Sequence, residues 1–543
     1  MAVDTLRPGP PPPPTDEFEP AAPPASRTQR LRELRPNRWV VAAAVLALTL
    51  GSLWLRSRQL NFYYWIDEAI SVGISSHPLG QLPGLLRQDG SPPLYYLLLH
   101  FWMQAFGRGE VATHWLSLIF ALIAVPTAYW GGASLFSRRT GAFAATLAAG
   151  LPFLTSYAQE TRMYSLLVLL SLVVAASFVH VFVYHRRRYL PAFALSLAAA
   201  LYTHNWALFL GLAAFLAFLF CLWAEPLERG RLWREGAIGF GAVAVMYLPW
   251  LPTLLYQAKH TGAPWALSPV IWSLSQAFYF LTGGRGAAVA LLLAGGVGFV
   301  VLRAGGVRER QTQIAAVALA ILGLGTLLIA WAYAKHTPAW SGRYFGVLVG
   351  PLTLLFALGL ARARGLGIAA LILVCCFWVL DPRPTSRVSK SNVADVAHVM
   401  DHDIGPATLV LSTQPEQVPA LAYYMPDVTH FGTPLGRVPD PRVMDWRNAL
   451  ARFEHSSIAA VLAPMVDSLT AGRRVMLVIP TSYQKTPEWM HLIRHDSHTW
   501  YHWLRRDPRL RLLMVSAKGE YHTNLGVEAI LFSVRRGVHS GSR

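Results

Sequence analysis

Cysteine is almost missing from this chain of 543 residues. Cys221, Cys375 and Cys376 all fall inside apolar runs, with no CxxC spacing and no histidine at a ligand position, so neither disulfides nor a zinc site is expected. Charge is sparse as well, at 14% of residues. With 54% of residues apolar, 12% aromatic, and membrane-length apolar runs recurring up to about residue 380, a soluble globular chain is excluded. Acids are the scarcer sign, 29 Asp and Glu against 47 Lys and Arg. That excess could suggest nucleic acid, but the arginines sit in short turns between apolar runs rather than on one face, so topology explains them and no nucleic-acid partner is expected.

What is present starts with a Pro-rich stretch, PGPPPPPTDEFEPAAPPAS, that turns basic before the first apolar run. Such a composition cannot bury a core and carries no small-residue cleavage site, so residues 1–38 read as a disordered cytoplasmic tail. Arg27, Arg30, Arg32, Arg35 and Arg38 precede the first span, residues 39–57, and the positive-inside rule keeps that end in the cytoplasm. Residues 58–110 then form a first outer loop. Within it LYYLLLHFWMQAF (94–106) is short for a hydrocarbon core of about 30 Å and carries His100, so it is expected to be interfacial or re-entrant. Spans near 111–135, 142–158, 163–184, 189–204, 206–223, 237–256, 286–302, 314–334, 344–361 and 366–380 bring the total to about eleven crossings. With that parity every inward turn bears arginine: Arg138 and Arg139, Arg186 to Arg188, Arg229 with Arg231 and Arg234, Arg303 with Arg308 and Arg310, Arg362 with Arg364. A full crossing by 94–106 would put these clusters on the wrong side.

Beyond residue 381 the polarity becomes ordinary and short β-like runs alternate with helical patterns. Strands are expected at 408–413, 457–464, 474–480, 511–517 and 528–534, and helices at 390–402, 415–424, 442–454 and 487–506. The fold class that follows is an α-helical polytopic membrane protein whose residues 382–543 form an extracytoplasmic α/β domain.

Four unusual clusters then share the outer face. YYWIDEA places Asp67 and Glu68 after an aromatic run, where partial desolvation of a carboxyl suits a general base; a solvated acid pair beside an aromatic belt is the plain alternative. SYAQETRMYS brings Glu160, Arg162 and Tyr164 to a tight turn, as a functional set or as a Glu160–Arg162 ion pair. LYTHNW sets His204 at the bilayer surface, as a ligand group or as a helix end. AKHTPAWSGRYF gathers Lys335, His336, Arg343 and Tyr344, suited to a phosphate because guanidinium forks pair bidentately with its oxygens, although interfacial cations also snorkel to headgroups. Together these parts fit attack by an acceptor hydroxyl on a sugar carbon whose leaving group is a lipid-bound phosphate.

The acidic pair Asp67–Glu68, the Pro92-to-Tyr96 run with Tyr95 and Tyr96, the Q-E-x-R-x-Y turn from Gln159 to Tyr164, and the late Gly342-Arg343-Tyr344 make residues 40–380 resemble the GT-C class of integral membrane glycosyltransferases. The similarity is to the bacterial relatives of protein O-mannosyltransferases and of the lipid A aminoarabinose transferase, in and around glycosyltransferase family 39. It implies a membrane module over residues 39–381 and an inverting transfer from a polyprenyl-phosphate sugar, mannosyl-like, with Asp67 as base. By the same resemblance Glu68 and Glu160 orient sugar or acceptor, and Arg343 with Arg162, Lys335 or His204 holds the donor phosphate. No nucleotide or other cofactor is required, while carboxylates and His204 could take up a divalent metal. The acceptor could be a glycan, a lipid or a protein hydroxyl, and the setting is a bacterial plasma membrane. The C-terminal domain resembles periplasmic domains of bacterial members, and Trp446, Trp489, Trp500 or Trp503 would either bind glycan or fill its core. A transporter or flippase of lipid-linked sugars is the main rival, but transporters place ionisable groups near the bilayer midplane, often within repeated halves, and no internal repeat is visible here.

Overall fold

The computed structural model describes residues 38–380, 390–483, 487–516 and 525–535. Of the tail expected over 1–38, residues 1–37 lie outside the described residues, as do the ends of the C-terminal region. Among the described residues, eight helices are long and apolar enough to cross a membrane: Arg38–Arg56, Glu110–Leu135, Tyr164–Phe182, Ala207–Ala224, Pro226–His260, Arg285–Ala304, Arg310–Ala334 and Gly342–Arg362. Shorter helices stand at the other three expected positions: Arg138–Gly150 continued by Pro152–Tyr157, then Leu190–Thr203 and Gly365–Leu380. The chain is a multi-pass helical membrane protein. Prolines account for breaks that hydropathy alone smooths over: Pro152 opens a new helix after Leu151, and Pro249 and Pro252 split the long 226–260 span. The Tyr164–Phe182 and Gly342–Arg362 helices form the bundle centre. There the Gly350 Cα faces Ser171 and Leu172 so closely that a Cβ would lie 2.3 Å from the Leu172 backbone nitrogen, which only glycine permits.

The helix ends sort into two sets. At one end arginines cap carbonyls of neighbouring turns: Arg186 donates to Ser134 at 3.1 Å, Arg310 to Ala224 at 2.9 Å, Arg139 to Arg364 at 2.6 Å, and Arg231 to His185. The expected inward turns therefore meet at a single end. Residues Leu94–Phe106 form a 13-residue helix that does not cross; it lies at the other end, where Tyr95 reaches Ser117 at 3.0 Å and Trp102 donates to Ala112 at 2.7 Å.

After the last membrane helix a six-stranded sheet runs in the order β3-β2-β1-β4-β6-β5, with β1 Leu409–Ser412, β2 His430–Thr433, β3 Gly436–Val438, β4 Arg474–Pro480, β5 Leu510–Val515 and β6 Val527–Val534. β1 pairs in parallel with β2 and β4, and the remaining pairs are antiparallel. The strand expected at 457–464 is a correction: those residues form helical turns, Ile458–Leu462 and Ala463–Asp467. Ser457 caps them by accepting from the Ala460 N–H at 3.2 Å, and Ala459, Ala460 and Ala463 favour helix over strand. The helix expected over 442–454 is confined to Ala449–Glu454. Trp489 and Trp500 are fully buried and Trp446 is 8% exposed, so these tryptophans pack the domain interior.

Candidate active site

Tyr63, Tyr64 and Trp65 lead into the helix Ile66–Ser75, whose first turn carries Asp67 and Glu68. Successive helical positions point about 100° apart, so the two carboxylates face different surroundings. Glu68 turns inward and is buried. Its Oε1 meets His114 Nε2 at 2.6 Å and accepts from the Thr161 N–H at 2.7 Å, while Oε2 accepts from the Trp65 N–H at 3.4 Å. His114 is anchored in turn to the Leu60 carbonyl at 2.7 Å. Glu68 thus staples the first loop to the helix 110–135 and to the turn 158–163.

Asp67 faces the other way, toward two guanidiniums. Its Oδ2 lies 2.9 Å from Arg343 Nη1 and 3.9 Å from Arg162 Nη2. Arg162 also donates to the Asp67 carbonyl at 3.1 Å and to Ser71 Oγ at 2.8 Å. Arg343 is set by the short helical turn Gly342–Phe345 that begins the 342–362 span. Its guanidinium stacks 4.4 Å from the Trp265 ring and 5.5 Å from Trp65, surfaces that hold the fork without occupying all its donors.

Glu160 is buried and forms an ion pair with Lys390, a residue at the start of the C-terminal region, so of the two readings of that turn the Glu160–Arg162 ion pair is not the one made. The Lys390 ammonium lies 5.0 Å from the Trp65 ring. Burial draws it down to about 8 against the opposing pull of Glu68 and Asp67. His204, at the end of Leu190–Thr203, packs 4.7 Å from the Tyr344 ring and 6.0 Å from Tyr164. Its Nδ1 accepts from the Trp206 N–H at 3.1 Å, which leaves the proton on Nε2. The ring therefore offers one N–H donor to the site. Tyr95 supports Arg162 indirectly: its hydroxyl contacts Ser117, which donates to the Arg162 carbonyl at 3.0 Å. Tyr96 donates to Asp89 at 3.4 Å.

The structure thus draws Asp67, Glu68, Glu160, Arg162, Tyr164, His204, Arg343 and Tyr344 to one end of the bundle, with Tyr95 and Tyr96 behind them. Lys335 stands outside this set: it is exposed and donates to the Pro269 carbonyl at 3.0 Å. Among the described residues no group of three or more His, Cys, Asp or Glu is arranged to hold a metal. Two participants escaped sequence reasoning. Asp89 ends the helix Leu82–Asp89, which Gly90 closes with a φ of 93°, and burial pushes its carboxyl up while Arg162 and Asp67 act on it from nearby. Its Asp-Gly pair reads as an ordinary turn. Lys390 had a better signal, as one of only five lysines in a chain that otherwise uses arginine.

Residues 90–256 match the family described as dolichyl-phosphate-mannose-protein mannosyltransferase. Among solved structures, ArnT from Cupriavidus metallidurans in the apo state superposes with a TM-score of 0.59 at 12% identity, covering 91% of this chain and 97% of that one. The same protein bound to undecaprenyl phosphate gives 0.56 at 14% identity, with 93% and 99% covered. The Archaeoglobus fulgidus oligosaccharyltransferase in its apo form gives 0.57 at 11% identity, with 82% and 70% covered. No curated protein matches the chain in sequence. The chain has the GT-C glycosyltransferase fold.

Proposed function

We propose that this protein is an inverting glycosyltransferase that moves a sugar from a polyprenyl-phosphate carrier to a hydroxyl of a cell-envelope glycan, lipid or protein. The observation that carries the reading is Asp67 set 2.9 Å from Arg343 and 3.9 Å from Arg162 within a GT-C fold. An acceptor oxygen attacks the anomeric carbon from the face opposite the phosphate. The bond from that carbon to the phosphate oxygen breaks, and its electron pair leaves with the lipid phosphate. The acceptor proton passes to the Asp67 carboxylate and later to water. Arg343, Arg162 and the Nε2–H of His204 stabilise the charge that gathers on the departing phosphate. Glu68 positions Asp67, and no step calls on a nucleotide cofactor.

Under this reading the arginine-capped end faces the cytoplasm of a bacterial plasma membrane by the positive-inside rule, and the acidic end with the sheet domain is extracytoplasmic. Support for lipid-linked transfer comes from the likeness to ArnT, solved with undecaprenyl phosphate. Mannose is the donor sugar to test first, since the matched family is described by it. The gathering of ionisable groups at one bundle end, rather than at the midplane, favours an enzyme over a flippase.

The experiment is reconstitution of the purified protein in proteoliposomes with synthetic polyprenyl-phosphate sugars and a cell-envelope extract. Release of polyprenyl phosphate coupled to a new glycosidic bond of inverted configuration is expected. Movement of donor across the bilayer without cleavage refutes the proposal.

A further inference from the structure

The helix Glu488–Arg506 of the sheet domain carries side chains that the transfer chemistry above does not use. Its inner face belongs to the domain core: Trp489, Met490, Ile493, Trp500 and Leu504 are buried, and Ser497 is tied to Thr413 at 2.7 Å. The outer face holds four of the 18 histidines in the chain, His491, His495, His498 and His502. Their spacing of four, three and four residues follows the helical repeat. All four therefore fall within about 60° of one another, in a row about 16 Å long. His491, His495 and His498 are exposed and His502 is half-buried, so core packing does not account for the row.

Helix positions i and i+4 are surface neighbours, with Cβ atoms about 5–6 Å apart. His498 and His502 stand in that relation and their rings already meet, with centroids 4.3 Å apart and planes at 65°. A metal bond of about 2.1 Å to each of two imidazoles sets their nitrogens about 3.3 Å apart, a spacing within reach of such a pair by side-chain rotation alone. His491 and His495 repeat the relation seven residues earlier. Among the described residues no third histidine or carboxylate converges on either pair, so each supplies two nitrogens and leaves the other positions to solvent. The surrounding charge decides which ion suits them. Asp496 lies about 100° round the helix from His495. Glu488 stands only at the end of the row, while Arg494 and Arg505 are exposed alongside it. Calcium and magnesium need several oxygen ligands, which this face does not offer, and the arginines repel a cation held by charge alone. Imidazole nitrogens select zinc, copper or nickel instead.

We propose that this row binds a divalent transition-metal ion, chelated by His498 and His502, with His491 and His495 as a second pair. The proposal stands apart from the transferase reading and holds whether or not that reading does. The test uses untagged full-length protein in detergent, titrated with Zn²⁺ against a chromophoric chelator and with Cu²⁺ by electron paramagnetic resonance, with Mg²⁺ and Ca²⁺ as controls. Wild-type protein should bind Zn²⁺ and not the controls, and the Cu²⁺ spectrum should show coupling to two imidazole nitrogens. A His491→Gln/His495→Gln background isolates the other pair. In it, His498→Gln should weaken Zn²⁺ binding at least about tenfold, the loss of one of two linked ligands, and should reduce the coupling to a single nitrogen. Because these side chains lie on the outer face, the metal-free melting temperature should stay at the wild-type value. Absence of Zn²⁺ binding overturns the proposal, as does binding that survives substitution of all four histidines, which would place the metal elsewhere. Equal binding of Mg²⁺ or Ca²⁺, or a wild-type Cu²⁺ spectrum with coupling to no nitrogen, overturns it without recourse to any variant.

Discussion

Replacing Asp67 by Asn keeps the shape of the side chain and removes its charge, and two quantities should then move in opposite directions. Loss of the base should lower the single-turnover rate by about 10²- to 10⁴-fold, the usual contribution of a positioned proton acceptor. Donor binding should not fall with it. In the empty site Arg343 is held by Asp67 at 2.9 Å, so an incoming phosphate must compete with a carboxylate for that guanidinium. A charge-assisted hydrogen bond contributes about 1.5–3 kcal/mol, and an amide oxygen retains only part of that. The phosphate should therefore bind the variant more tightly, by up to about tenfold, or 1.4 kcal/mol. The assay pairs rapid-quench turnover of a short-chain polyprenyl-phosphate sugar with calorimetric titration of polyprenyl phosphate. Unchanged turnover would refute the base assignment. A parallel collapse of turnover and phosphate affinity would refute the competition argument, because it would make Asp67 part of the phosphate site itself.

Arg343→Ala should raise the donor KM by about 10- to 100-fold, the range expected for a lost bidentate phosphate contact, and an unaltered donor KM would remove the clamp. His114→Ala leaves the buried Glu68 without its main partner, their side chains being 1% and 4% exposed, and should cost about 3–5 kcal/mol, seen as a lower melting temperature; a melting curve matching wild type would mean that the staple is dispensable. Lys390 is drawn down to about 8, so its ion pair with the buried Glu160 should be intact at lower pH and weaken as pH rises through 8. Turnover should fall over that interval, and Lys390→Arg, which stays charged, should flatten the fall; a profile identical in the two proteins would contradict the ion pair's part in holding the site.

Hydropathy and arginine placement made the membrane half legible because crossing a bilayer constrains both residue type and parity. The short 94–106 segment was decisive: reading it as non-crossing is what brings the four clusters to one end. The sheet was harder. β1, β4 and β6 announce themselves as apolar β-branched runs, whereas β2 and β3 are only four and three residues long and contain Gly432 and Gly436, too short for any period to show. The 457–464 run looked like a strand because eight apolar-rich residues fit either period, and the Ser457 cap decided otherwise. In the site, residue types were legible but pairings were not. Glu160 and Arg162 stand two apart in sequence, yet their partners, Lys390 and Asp67, lie 230 and 95 positions away. No local pattern encodes contacts of that kind. Lys335 illustrates the converse, since its neighbours in sequence suggested a phosphate ligand while its own loop carries it to Pro269.

In the proposed transfer, adjacent carboxylates with different partners let the site move charge without rebuilding itself. Glu68 is fixed by His114, the Thr161 N–H and the Trp65 N–H, contacts that tie the first helical turn to its neighbours. Asp67 is held chiefly by guanidiniums, which can exchange one anion for another. In the proposed transfer the donor phosphodiester carries one negative charge, and the departing phosphate monoester would gain a second. Over the same step Asp67 accepts the acceptor proton and loses its charge. The total is conserved, so the low-dielectric pocket never has to desolvate an extra charge, and Arg343 need only turn from a carboxylate that is being neutralised to a phosphate that is being charged. Trp265 and Trp65 fit that motion, because a ring face attracts a cation without fixing the direction of its donors. A lysine at 343 would keep the charge but give up the planar fork that spans both anions, so Arg343→Lys should bind donor more nearly normally than it turns it over. Equal losses in the two measurements would show that Arg343 only binds and takes no part in the exchange.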